Sequence, residues 1–280
     1  MTVTFSENLM NATYKDDFSD SDGFKRILFN PRRALQAREL TQSQTIIQKD
    51  LERFGRNIFK EGAMVNPGGI SINPNIEFVK LQPSVLQAPA VEWPANTLAV
   101  PGAIFNGLTS GISAEIICAE NGDGTASCPP TLYIMYRSGG SQTAGTSTLR
   151  FLADETIQID NGSESYKIKA NHTIADPSFG QGVRLSVAAG DYFAQGHFVH
   201  AKSQSKIISK YSNDFTGLVG FNVVQDIVTA SDDVSLFDNQ GQFPNISAPG
   251  ADRYRITLTL ATKPSTPGLE TFMYIANIIN

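Results

Sequence analysis

Two cysteines, three histidines and one tryptophan leave this 280-residue chain little material for redox or metal chemistry. Cys118 and Cys128 flank the Asn121-Gly-Asp-Gly124 turn almost symmetrically, so a cross-hairpin disulfide is geometrically open. A chain folded in a reducing cytoplasm keeps such residues as thiols, and free thiols are the expectation. No second Cys or His pair accompanies them, which gives no zinc site. His197 and His200 fall in a strand pattern, where an odd spacing sends two side chains to opposite faces. They and His172 are read as structural, and neither a metal nor a cofactor is expected.

No apolar run reaches the roughly 18 residues of a bilayer-spanning helix, so no membrane insertion is expected. Met1-Thr-Val-Thr-Phe-Ser-Glu7 carries neither a basic stretch nor an apolar one. It does not read as a secretory signal, and the chain is expected to be made and folded in a cytoplasm. A net charge of −5 argues against a general polyanion binder. The basic residues from Arg32 to Arg56 are interleaved with Glu39, Asp50 and Glu52, a solvated helix face and not a nucleic-acid surface.

Enzyme signatures are missing too. Neither a Gly-x-Ser-x-Gly elbow nor a phosphate-cradling Gly-x-x-x-x-Gly-Lys-Ser/Thr loop occurs. Asn121-Gly-Asp-Gly-Thr125 opens like a calcium loop, but Pro130 and Leu132 lie where the bidentate Glu belongs. It is read as a turn. Asp232-Asp233 and Asp238-Asn239 are read as turn formers and not as a glycosidase carboxylate pair. Trp93, before Pro94, is a packing anchor. No catalytic residue is assigned.

What the chain does have is one long segment with a helical period, from Phe29 to Phe59. Ala37, Leu40, Gln44, Ile47, Leu51, Phe54 and Ile58 recur in steps of three and four, the a/d spacing of a short coiled coil. Such a seam buries best against copies of itself, and the polar Gln44 is the residue that fixes register and copy number. Asn30 and Pro31 predict the helix start and Gly62 its end, a helix over about 31–60. Arg32, Arg33, Arg38 and Glu39 are candidates for docking pairs, because cations at a helix N-terminus oppose the dipole and call for carboxylates from elsewhere.

Around this helix the organisation reads as an extended arm (1–23), a helical assembly segment (24–68) and a β-rich body (69–280). Short apolar runs alternate with Gly, Pro, Asn and Asp turns from Ala63 onward, the rhythm of an antiparallel sandwich or barrel. The clearest strands are expected at Ala114–Glu120, Thr131–Arg137, Tyr192–Val199, Gly217–Ile227 and Tyr254–Thr262. The Gly/Ser-rich stretch 138–148 is a weak internal boundary. The fold class is therefore α+β, predominantly β. No fixed-period repeat occurs, against a propeller or β-solenoid.

Phe29-Asn-Pro-Arg-Arg-Ala-Leu-Gln-Ala-Arg-Glu-Leu40, followed by Arg53-Phe-Gly-Arg-Asn-Ile-Phe-Lys-Glu-Gly62, resembles the opening of a family of tailed-phage virion proteins. These tail fibre, baseplate or generic structural proteins share a domain of unknown function. Asp191-Tyr-Phe-Ala-Gln-Gly-His-Phe-Val199 resembles that family's Tyr-Phe-x-x-Gly-x-Phe strand. Ser235-Leu-Phe-Asp-Asn-Gln-Gly241 and Ala248 to Leu260 resemble its closing motif. The middle, about 85–185, matches in general character alone.

The resemblance implies a virion structural protein of the phage tail, docked by its arm and helix onto other tail or baseplate proteins. Fibre architecture suggests a homotrimer. Phe272 to Asn280 ends on a strand-like run, so further C-terminal fibre domains that meet a host-surface receptor are expected. A second reading is a module binding host-surface glycan through loops bearing Tyr211, Phe215, Phe237 and Phe243. A depolymerase enzyme is the third, and the lack of a repeat counts against it.

Overall fold

The computed structural model describes residues 13–66, 68–82, 101–122, 128–138, 150–159, 165–170, 173, 175–238, 245–263 and 272–279. These residues form one α-helix and a set of antiparallel strands, a predominantly β fold. In chain order the helix α1 (Ala37–Ile58) precedes β1 (Met64–Asn66), β2 (Ile70–Lys80), β3 (Ile104–Gly107), β4 (Ser113–Glu120), β5 (Thr131–Ser138), β6 (Thr156–Ile159), β7 (Ser165–Lys167) and β8 (Phe179–Val187). Then come β9 (Gly190–Ala194), β10 (His197–Ala201), β11 (Gln204–Ser209), β12 (Gly217–Val228), β13 (Phe237–Asp238), β14 (Asn245–Pro249), β15 (Arg253–Lys263) and β16 (Phe272–Ile278).

The helix begins at Ala37 and not at Pro31. The Arg33 N–H donates to the Asn30 carbonyl at 3.3 Å, and Arg32 has a φ of +73°. Pro31 thus occupies the second position of a β-turn with a left-handed residue after it, the arrangement of a type II turn. The fixed φ of proline suits that position as well as it suits a first helical turn. The helix is opened instead by Gln36, whose N–H donates to Glu39 Oε2 at 3.0 Å, one half of a capping box.

Two strand expectations need correction. Tyr192–Val199 is not one strand but a hairpin of β9 and β10, with His197 opposite Ala194. Its two-residue turn is Gln195-Gly196, with φ of +52° and +80°. Two left-handed residues make the turn twist with its strands, and Gln in place of the usual Asn concealed it. β2 was not anticipated, because Pro74 interrupts it. The ladder from β2 to β5 starts at Glu77, beyond the proline, so the missing N–H costs no bond there.

The chain divides into two compact units. Unit 1 is assembled from Met1–Ser71, Ser186–Lys206 and Thr216–Ile279, and unit 2 from Ile72–Leu185 and Ile207–Phe215. The stretch expected as a boundary, 138–148, lies outside the described residues apart from Ser138.

Unit 2 is built on the long sheet ordered β11-β8-β2-β5-β4-β3-β6-β7. Alternation places Val79, Leu132 and Ile134 in one buried cluster and Phe78 and Tyr133 in another, so the middle of this sheet is covered on both faces. Unit 1 holds the helix, the β1-β9-β10 sheet and the β15-β12-β16 sheet. Its core includes Tyr192, whose ring meets Phe221 edge-on at 4.9 Å. The outer edge of β15 is closed by a side chain: Gln204 donates its amide to the Leu258 carbonyl and accepts the Leu260 N–H, both at 2.8 Å.

Candidate assembly surface

α1 is 22 residues long, about 33 Å of helix. Successive residues turn by about 100°, so stripes offset by one residue lie on adjacent faces. Thr45, Gln48, Glu52 and Gly55 form such a stripe, one residue on from Gln44, Ile47, Leu51 and Phe54. Of this small and polar stripe, Gln48, Glu52 and Gly55 pack on unit 1's own hairpin. Gln48 donates to the Gly196 carbonyl at 3.2 Å. A Cβ built on Gly55 would lie 2.4 Å from Phe193 Cε2, and one on Gly196 would lie 2.6 Å from Glu52 Cγ. Phe59, just past the helix, meets Phe193 and Phe198 at 6.1 and 5.6 Å.

The described end of the arm, Thr13 to Gly23, lies along a second side of the same helix. Asp16 accepts a hydrogen bond from the Thr45 hydroxyl, and both residues are buried. Asp17 pairs with Arg38 at 3.1 Å, and Asp20 pairs with Arg53. Lys25 reaches Asp50 at 3.2 Å. Tyr14 donates to the Asp252 carboxylate, which pushes the phenol up to about 12. Of the docking candidates, Arg38 is thus engaged by Asp17 and Glu39 by the helix cap. Arg32 and Arg33 are exposed in the turn before the helix.

The third side is the seam, and it faces water. Leu40, Ile47, Leu51, Phe54 and Ile58 are 41% to 70% exposed, and Ala37 and Gln44 are exposed as well. An amphipathic helix normally turns its large apolar residues inward. Here the buried positions are Thr45, Ile46 and Gly55; Ile46 turns inward, while the large apolar stripe of the seam is left half-exposed. The linker between arm and helix adds Phe24, Leu28, Phe29 and Leu35, which are 54% to 80% exposed.

The sequence pattern identified the seam. It also named the arm, but it missed the inward stripe and the contacts of Asp16, Asp17 and Asp20 with the helix of the same chain.

The remaining singled-out residues have structural surroundings. His200 Nδ1 lies 2.8 Å from Asp191 Oδ1, on the exposed side of β10. The bond from His200, and after it one from Asn66, holds the Asp191 carboxyl below its ordinary range. His197 points the other way, half-buried, with its ring 5.8 Å from that of Tyr254. Asp232 accepts the Thr229 N–H at 3.0 Å, and Asp233 accepts the Ser235 N–H at 2.9 Å, both as turn locks. Cys118 and Cys128 are free thiols. Burial pushes the Cys118 thiol up to about 11, which makes it a poor nucleophile. Tyr211 meets Phe78 edge-on at 5.0 Å and lies beneath the buried Lys80 ammonium, 3.9 Å from its ring centre. His172, Trp93 and Phe243 lie outside the described residues.

The family described as a domain of unknown function (DUF4815) matches residues 12–103. That stretch contains the described arm, α1, β1 and β2, and hence the whole exposed seam. No curated protein and no solved structure matches the chain.

Proposed function

We propose that this chain is a structural protein of a tailed-phage virion, a tail fibre or baseplate component. In this reading its N-terminal region binds copies of itself, as a homotrimer, and anchors them to neighbouring tail proteins. The exposed seam carries the reading. A helix that buries Gly55 and Thr45 while leaving Leu51 and Phe54 in water is shaped for a partner with the same spacing. The resemblance of Phe29–Leu40 and Arg53–Gly62 to phage virion proteins supports the setting. Binding would work by buried area and symmetry, without chemistry.

Magnitudes limit what the seam can do unaided. Full burial of one large apolar side chain is worth about 1.5–3 kcal/mol, and these five are already about half covered. They offer on the order of 4–8 kcal/mol per copy, against an association cost of roughly 4–15 kcal/mol. The seam specifies the partner but needs further buried surface to hold it.

Light scattering on the wild type and on Leu51→Asp tests the proposal. The expected result is a trimer that the substitution reduces to a monomer with unchanged circular dichroism. A monomeric wild type would overturn the self-association.

A further inference from the structure

We propose that the N-terminal arm is exchanged between copies, so that residues 13–23 of each copy lie on the helix of the next. The inference rests on the seam reading above, which places identical helices side by side. It is carried by the way arm, linker and hinge are built.

Apart from the buried Asp16–Thr45 hydrogen bond, the ion pairs that tie the arm and the start of the linker to the helix are exposed. Asp17–Arg38, Asp20–Arg53 and Lys25–Asp50 all have side chains 45% to 64% exposed. Pairs of this kind contribute little and exchange readily. Every copy offers the same acceptor stripe, Arg38, Thr45 and Arg53, to any acidic arm in reach.

The linker gives the preference. In one chain alone, Phe24, Leu28, Phe29 and Leu35 are exposed, in the segment that leads into the half-exposed seam. A linker that crosses from one helix to its neighbour runs between the two and buries them. It supplies the additional apolar surface that the seam lacks. Reach is no obstacle: residues 24–36 extended span about 43 Å, against interaxial distances of 8–10 Å between packed helices.

The hinge points the same way. Asn30-Pro31-Arg32-Arg33 turns the chain back toward its own helix with Arg32 at φ +73°. Left-handed backbone is disfavoured for a non-glycine residue, and opening the turn to extended backbone removes the strain. Short, strained hinges are where protein segments change partners.

Asp16 and Thr45 are close enough to test this by cross-linking. In a Cys118→Ser, Cys128→Ser background, a tagged Asp16→Cys chain and an untagged Thr45→Cys chain are co-expressed and oxidised. Non-reducing electrophoresis and peptide mass mapping read the bond, and light scattering reads the mass. Exchange predicts a covalent species of one tagged and one untagged chain, and covalent oligomers from the double variant D16C/T45C. An oligomer whose double variant closes its disulfide within each chain would overturn the exchange and leave the seam standing. A monomer would overturn both. An oligomer with no disulfide in any combination would show the arm off the helix, and the exchange would fall.

Discussion

Gly55 lies against the Cδ2–Cε2–Cζ side of the Phe193 ring, so close that a Cβ there would sit 2.4 Å from Phe193 Cε2. This contact lets α1 settle on the β9–β10 hairpin and turns the seam outward. Glycine inside a helix costs up to about 1 kcal/mol relative to alanine, so Gly55→Ala should help an isolated helix. In the protein the ring has little room to retreat, with Phe59 and Phe198 at 6.1 and 5.4 Å. Overpacking of this kind costs roughly 1–3 kcal/mol and should win. Gly55→Ala should therefore destabilise unit 1 by about 1–2 kcal/mol in urea unfolding. Adding Phe193→Leu should recover part of the loss, which a simple propensity effect would not.

In unit 2 the carboxylate of Glu155 is 3% exposed and gathers backbone donors. Oε1 accepts the N–H groups of Thr109 and Ser110, and Oε2 accepts that of Leu152 at 2.8 Å. Glu155→Ala would leave these part-buried donors without their acceptor, each worth about 1–2 kcal/mol. We expect a loss of about 3–5 kcal/mol and a lower urea midpoint with an unchanged slope. Glu155→Gln keeps one acceptor oxygen and should lose about half as much. An alanine variant as stable as wild type would show that the loop rearranges at no cost.

Gln204 takes the place of a neighbouring strand along the edge of β15. Gln204→Ala removes partners from the Leu258 carbonyl and the Leu260 N–H together. The expected cost is about 1–3 kcal/mol, with concentration-dependent association through the opened edge. Gln204→Glu keeps the acceptor for Leu260 and loses the donor to Leu258, so it should fall between. Thermal unfolding at two protein concentrations separates the stability loss from the association.

His197 gives unit 1 a pH dependence. Burial pushes its imidazole below the ordinary value; the Glu52 carboxylate opposes this and the Lys49 ammonium adds to it. The unfolded chain then binds the proton more readily than the folded one, so stability rises with pH. The neutral imidazole is fully accommodated above the ordinary histidine value of about 6.5. Stability should be lost as the pH falls from there toward the lower folded value. Urea midpoints at pH 7.5 and 5.5 should differ less in His197→Gln than in wild type. Equal differences would assign the acid sensitivity to other groups.

The seam could be placed from residue spacing, because a period of three and four between large apolar residues survives in any context that keeps the helix. The sequence also carried the β character of the rest, since short apolar runs between Gly, Pro, Asn and Asp permit little else. It left the start of α1 open, because Pro31 fits a first helical turn and a type II turn alike, and the Arg33–Asn30 bond decides between them. The hairpin at Gln195-Gly196 was illegible because glutamine is not a usual left-handed turn residue, and the partner of its N–H, the Glu61 carboxylate at 2.7 Å, is remote in sequence. Tertiary structure alone decided which face of α1 turns inward. Large apolar residues ordinarily win that competition, and Ile46 does turn inward, but Phe193 packs over Gly55, where a side chain would clash, and the seam stripe stays outside. The seam was readable as a pattern; that it faces water follows from close contacts at Gly55 and Gly196 that the pattern does not contain.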